Sequence, residues 1–99
     1  MLRFKVGSDY QGTLRALHDS IKELNGRLEY YSPPKGVIIF AKPWYSRYSN
    51  LTMVVDIDRL PGGCMVTLIA CFPGVPFRYK WLPRRYEAKF AERVRRNAR

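Results

Sequence analysis

The chain has 99 residues, a length at which one hydrophobic core is expected and folding removes roughly 65% of the unfolded surface from water. Hydrophobic residues make up 46% of the sequence and charged residues 26%, which excludes a disordered, collagen-like or low-complexity protein. Eighteen Lys and Arg against eight Asp and Glu give a net charge of +10. This charge favours an anionic partner such as nucleic acid, an acidic protein or anionic lipid headgroups.

The first predicted elements are a strand and an amphipathic helix. Apolar and basic residues alternate over positions 2–6, the period of a half-buried strand. Apolar residues then recur three and four positions apart from Tyr10 to Leu24, and Ser8 followed by Gln11 has capping-box spacing, so we expect a helix that Ser8 caps. The Asn-Gly pair at 25–26 predicts the end of this helix.

A second strand is predicted from Arg27, with Leu28 and Tyr30 on one face. The proline-rich turn at 32–36 interrupts the pattern, and a third strand follows over 37–42. These two segments are close enough along the chain to pair as neighbours in an antiparallel sheet.

The clearest strand signal is the strict alternation over residues 51–58. The turn formers at 60–63 separate it from a long apolar and β-branched run over 64–72, so the two predict a hairpin whose second strand is central in the sheet. The intervening segment 43–50 mixes aromatic and turn-forming residues and predicts a loop.

A basic helix is predicted at the C-terminal end, over about 83–98. Pro83 suits its first turn, and Glu92 and Arg96 have the spacing of a helical ion pair. Its narrow apolar stripe consists of Tyr86, Phe90 and Val94.

The resulting order, β-α-β-β-β-β-α, predicts one α+β domain over residues 1–99, with a mainly antiparallel five-stranded sheet and the first helix packed on one face. Region 27–72 has no helical period between its strands, which excludes a ferredoxin-like fold. In element order, over residues 2–98, the chain resembles one half of the TATA-box-binding-protein fold and, more loosely, the helix-grip group of small-ligand binders. The resemblance implies a fold only, since the predicted hairpin tips at 32–36 and 59–63 lack the phenylalanines with which TATA-binding proteins wedge DNA.

Basic residues are concentrated near the C-terminal end. Residues 78–99 hold nine basic and two acidic side chains, and a helical wheel aligns four of the basic ones in a stripe beside the apolar stripe. Such a stripe predicts contacts with phosphates that weaken steeply with salt. The competing interpretation is a solvated basic face that provides solubility. The stripe consists of Arg85, Lys89, Arg93 and Arg96, and the wider set of candidate anion-binding residues adds Arg78, Lys80 and Arg84.

A second candidate contact is the aromatic segment in which Trp44, Tyr45 and Tyr48 surround Arg47. Exposed rings next to a cation stack unpaired bases or anchor a protein contact. The alternative is that these rings pack over the edge of the sheet.

No residue pattern indicates a reaction, a metal or a cofactor. Asp56 and Asp58 share a strand face about 6.6 Å apart, but two carboxylates do not make a hydrolytic or metal site. His18 has no recognisable nucleophile, and one His with two Cys lacks metal-ligand spacing. Cys64 and Cys71 are expected on opposite faces of one strand, too far apart to form a disulfide with each other.

The sequence therefore favours a non-enzymatic binding domain that holds nucleic acid, or another acidic partner, through its C-terminal helix. It contains neither a secretory signal nor an apolar run long enough to cross a membrane, so we expect a cytoplasmic protein. One alternative is a protein-interaction or homodimerisation module that uses a semi-apolar outer sheet face, unless the C-terminal helix covers it. A further alternative is a small-ligand pocket between helix and sheet. The outer face is expected to carry Tyr31, Ile39, Val54 and either Ile69 or Leu68.

Overall fold

Among the residues that the structure describes, five strands and two helices follow one another in the predicted α+β order. The computed structural model describes residues 1–42, 51–71 and 81–98, the side chains of Trp81 and Leu82 excepted. The elements are β1 (Leu2–Val6), α1 (Tyr10–Glu23), β2 (Arg27–Ser32), β3 (Val37–Lys42), β4 (Leu51–Leu60), β5 (Gly63–Cys71) and α2 (Trp81–Asn97).

The strands form one antiparallel sheet in the order β1-β5-β4-β3-β2. Short connections place β2 to β5 side by side, whereas α1 carries the chain from β1 at one edge of the sheet to β2 at the other. The β4–β5 hairpin is confirmed, with Val55 opposite Leu68 in its register. β5 is an interior strand as expected, but the middle of the sheet is β4.

Both helices pack on the same face of the sheet. The Phe40 ring of β3 and the Phe90 ring of α2 have their centroids 5.0 Å apart, and Leu17 of α1 is fully buried in the same core. Each such apolar side chain contributes about 1.5–3 kcal/mol by leaving water. The prediction that α1 covers this face is therefore confirmed but incomplete, since α2 shares it. In the part of the chain that the structure describes, no helix lies on the opposite face, which we call the open face.

The N-terminal cap of α1 differs from the prediction. Asp9, not Ser8, is the capping residue, because its carboxylate accepts a hydrogen bond from the Gly12 N–H at 2.7 Å. The Ser8 hydroxyl instead donates to the Ala98 carbonyl at 3.0 Å and joins the start of α1 to the end of α2. The predicted end of α1 is confirmed by Asn25, whose φ of 57° lies in the left-handed region.

A bulge in β2 overturns the predicted faces of its side chains. Leu28 lies opposite Phe40 and Tyr31 lies opposite Ile38, so Leu28 and Tyr31 share the face of the sheet that bears the core. A regular strand would place Tyr30 there, but the extra residue of the bulge moves Tyr30 to the opposite face. Tyr30 lies beside Ile39 on the open face. At this edge the side chains of Leu28, Tyr30 and Tyr31 are all exposed.

Both cysteines lie on β5, and α2 begins slightly earlier than predicted. Cys64 is buried and Cys71 exposed, and both are free thiols. α2 begins two residues before Pro83, which still lies in its first turn. Among the described residues there is no helix with the length and apolar character needed to cross a membrane.

Candidate anion-binding face of the C-terminal helix

α2 separates apolar and basic side chains onto two sides. Phe90, Ala91 and Val94 are almost completely buried against the sheet and α1. The helix carries six basic and two acidic residues, and one of the two acids, Glu87, is itself buried. Glu92 is consequently its one exposed acid, and the solvent side of α2 has a marked excess of positive charge.

Three of the four basic residues in the predicted stripe come together in one groove. Lys89, Glu92, Arg93 and Arg96 line this cleft, which has a volume of about 240 Å³. We call it the α2 groove. Lys89 and Arg96 are exposed and Arg93 is half-buried. Arg85 lies one helical turn before Lys89, in accord with the predicted alignment of the stripe.

A carboxylate of α1 anchors two arginines of the groove. Glu23 Oε1 lies 3.2 Å from Arg93 Nη1 and 3.2 Å from Arg96 Nη2. Its second oxygen accepts a hydrogen bond from Asn97 Nδ2 at 3.3 Å, and the same amide nitrogen donates to the Ser20 hydroxyl at 3.0 Å. One negative charge thus faces two positive ones, and the three donors from α2 converge on a single anionic group.

The predicted ion pair between Glu92 and Arg96 is not formed, since Arg96 lies against Glu23. An exposed pair four residues apart on a helix contributes only about 0.3–0.5 kcal/mol. Glu23 offers Arg96 a carboxylate that Arg93 and Asn97 already hold in place. No local period in the sequence reveals Glu23 as a partner of Arg96, because the two residues are 73 positions apart along the chain.

The charge state of Glu23 reflects these contacts. Desolvation by itself raises the pKa of this carboxyl, but the hydrogen bonds from Asn97 and Arg93 and the charges of Arg96 and Arg93 outweigh it. The net effect holds the pKa of Glu23 below its ordinary value. Glu23 therefore remains a carboxylate at neutral pH and competes with any other anion for the same donors.

The remaining predicted anion-binding residues lie elsewhere. Arg84 is exposed on the first turns of α2, on a flank of the helix away from the groove. Arg95, which was not singled out, lies on that flank and stacks its guanidinium over the Phe4 ring at 4.9 Å. The predicted contact residues that fall outside the described part of the chain are Arg78, Lys80, Trp44, Tyr45, Arg47 and Tyr48.

The side chains considered for catalysis are dispersed. Asp56 and Asp58 are exposed on the open face, and His18 is exposed on α1. Within residues 1–42, 51–71 and 81–98, no three His, Cys, Asp or Glu side chains are grouped so that they could hold a metal ion.

A cleft of about 420 Å³ lies at the end of the sheet, between the start of α1 and the β4–β5 turn. Its walls include Tyr10 and Arg59, whose guanidinium stacks over the Tyr10 ring at 4.1 Å. Neither Phe40 nor Phe90, which meet between helix and sheet, lines this cleft. The cleft is open to solvent, whereas the helix-grip alternative requires an enclosed pocket.

No protein-family model matches the chain, and no curated protein matches it. The geometry of α2 is therefore the basis for a functional proposal.

Proposed function

We propose that the protein is a non-enzymatic, cytoplasmic domain that binds nucleic acid through the α2 groove. The observation that carries the proposal is the convergence of Lys89, Arg93 and Arg96 on one solvent-facing groove. Guanidinium and ammonium groups bind phosphate oxygens through charge-assisted hydrogen bonds, as they bind carboxylates. The two free thiols, Cys64 and Cys71, support a reducing compartment.

A polyanion fits this groove better than a single small anion does. The basic side chains are spread along the helix axis, and Lys89 and Arg96 are about 10 Å apart in rise along it. A nucleic-acid backbone offers phosphates at regular short intervals over such a distance. We propose backbone binding rather than base reading, because no recognition motif accompanies the charge.

Glu23 has two opposing effects on this binding. Its carboxylate orients Arg93 and Arg96 side by side, which reduces the side-chain entropy that a phosphate contact would otherwise lose. The same carboxylate also competes with the phosphate for both guanidinium groups. We propose that a bound phosphate displaces Glu23 from Arg93 and Arg96, so that the free energy of breaking these contacts lowers the affinity.

Binding is tested by fluorescence anisotropy with labelled single-stranded DNA, single-stranded RNA and duplex DNA at two salt concentrations. The triple variant K89Q/R93Q/R96Q should weaken binding at least about tenfold and lower the salt slope by about one per lost phosphate contact. The matched control is R15Q/R27Q/K35Q, which removes the same charge from exposed residues outside α2, β1 and β4. Equal losses in the two variants, or no binding of any nucleic acid at low salt, would contradict the proposal.

Two matched single variants test the role of Glu23. E23Q and E92Q each remove one negative charge near the groove, but only E23Q removes the partner of Arg93 and Arg96. E23Q should therefore tighten binding several-fold more than E92Q does. Identical affinities in these two variants would mean that Glu23 acts through its charge alone and is not displaced by phosphate.

A further inference from the structure

The open face carries charges of both signs on two strands that do not touch. Arg3 and Lys5 are exposed on β1, and Asp56 and Asp58 are exposed on β4. β5 lies between these strands, so the two charged pairs are about 10 Å apart in the plane of the sheet. Of the ion pairs found among the described residues, none involves these four side chains.

The register aligns the four charges in two rows across β5. Arg3 lies opposite Thr67 on one side of β5 and Asp56 lies opposite Thr67 on the other. Lys5 and Asp58 flank Met65 in the same way, two residues further along. Each basic residue of β1 consequently has an acidic residue of β4 at the same position along β5, on the other side of that strand.

This arrangement is self-complementary, and we propose that the open face joins two copies of this chain about a two-fold axis parallel to β5. Rotation about that axis places β4 of one copy over β1 of the other. Asp56 then faces Arg3 of the second copy, and Asp58 faces its Lys5. Sheets packed face to face lie about 10 Å apart, a gap that these side chains span. Four ion pairs form, two on each side of the axis.

Apolar side chains on the same face fit a second copy as well. Ile69 lies on β5, close to the proposed axis, and is 46% exposed, so it meets its own equivalent across the interface. Val54 is its neighbour in the register and is half-buried in the single chain. A nucleic acid is disfavoured here because Asp56 and Asp58 offset the positive charges of Arg3 and Lys5. The overlap is three strands wide on each copy, so we expect a weak, reversible dimer.

The proposal does not depend on nucleic-acid binding, because the α2 groove lies on the other side of the sheet. Sedimentation equilibrium from about 10 to about 500 µM tests it directly. The wild-type chain should dimerise in this range. D56K sets two cations against each other across the interface, and R3E sets two carboxylates against each other, so each single variant should sediment as a monomer. R3E/D56K reverses both charges and should dimerise again.

The double variant has the net charge of the wild-type chain, so its recovery cannot arise from a general change in charge. D19K is the control for a charge reversal elsewhere, because Asp19 is exposed on α1, and it should dimerise like the wild type. Circular dichroism shows whether every variant is folded. A wild-type chain that stays monomeric over the whole range overturns the proposal. Failure of R3E/D56K to recover, with both single variants folded and monomeric, overturns the two-fold arrangement.

Discussion

Glu87 is a buried acid with a structural role. Its side chain is 3% exposed, and its two oxygens lie 2.8 Å from the Ala70 N–H and 3.2 Å from the α-amino group of Met1. β1 pairs with β5 only as far as Leu68, so the Ala70 N–H lies beyond the last β1 residue. A side chain of α2 thereby completes the hydrogen bonding of the sheet, and the same contact fixes α2 against β5.

Removing this carboxylate should destabilise the fold measurably. E87A leaves the Ala70 N–H without its acceptor and should cost about 1.5–3 kcal/mol in the free energy of unfolding. E87Q keeps an oxygen for the Ala70 N–H and loses only the ion pair, so its loss should be smaller. Urea unfolding at neutral pH measures both, with E92A as an exposed control that should change stability by no more than about 0.5 kcal/mol. An E87A chain as stable as E92A would show that the buried contact contributes nothing.

At the level of elements, Glu23 links α1 to α2 in a pH-dependent way. A carboxyl whose pKa is lowered by folding stabilises the folded state fully above its unfolded pKa, and this stabilisation is lost as the pH falls through the folded value. The pKa of Glu23 lies below the ordinary 4.5. The contribution of the contacts with Arg93, Arg96 and Asn97 should therefore be constant well above about pH 4.5 and decline as the pH falls through the lower pKa of the folded state.

A comparison of wild type and E23Q isolates this contribution. Glutamine does not titrate, so the wild-type chain should have the higher urea midpoint from pH 5 to pH 7, and the difference between the two midpoints should shrink as the pH is lowered from 5 to 3. The difference should be small because the Glu23 side chain is 37% exposed and solvent screens it. A difference that grows on acidification would contradict the assigned direction of the pKa.

The elements themselves were largely predictable from the sequence, because each depends on a local period. The alternation of apolar and polar residues predicts β4. Apolar residues at helical intervals predict α1, and Asn25 marks where that helix ends. The bulge in β2 was not predictable, since one extra residue leaves the local composition unchanged. Capping by Asp9 rather than Ser8 was equally hidden, because both are good caps and a contact with distant Ala98 decides between them.

The candidate site also combines features that the sequence predicts with features that only the folded chain reveals. The alignment of Lys89, Arg93 and Arg96 follows from their spacing on a helix and was predicted. Their neutralising partner, Glu23, depends on how α1 crosses α2 and could only be seen in the folded chain. The resemblance of the element order to half of the TATA-box-binding-protein fold remains a prediction.

At the scale of the whole molecule, the two proposals together predict where the two α2 grooves lie in the dimer. Each sheet has its helices on one face and the proposed dimer contact on the other. Two copies joined through their open faces therefore carry their α2 grooves on opposite outer sides, pointing away from each other. Grooves so placed cannot track one short strand together, so the two proposals predict that each groove binds a separate strand.

We accordingly expect the dimer to bridge two nucleic-acid molecules. Short oligonucleotides that bind the chain, labelled separately with a donor and an acceptor dye, should show energy transfer when the wild-type protein is added at concentrations that favour the dimer. D56K should abolish the transfer although its extra positive charge does not weaken oligonucleotide binding, and R3E/D56K should restore it. Because D56K gains charge, a lost signal cannot be attributed to lost affinity for phosphate. Undiminished transfer with a monomeric D56K chain would show that bridging does not require the open face.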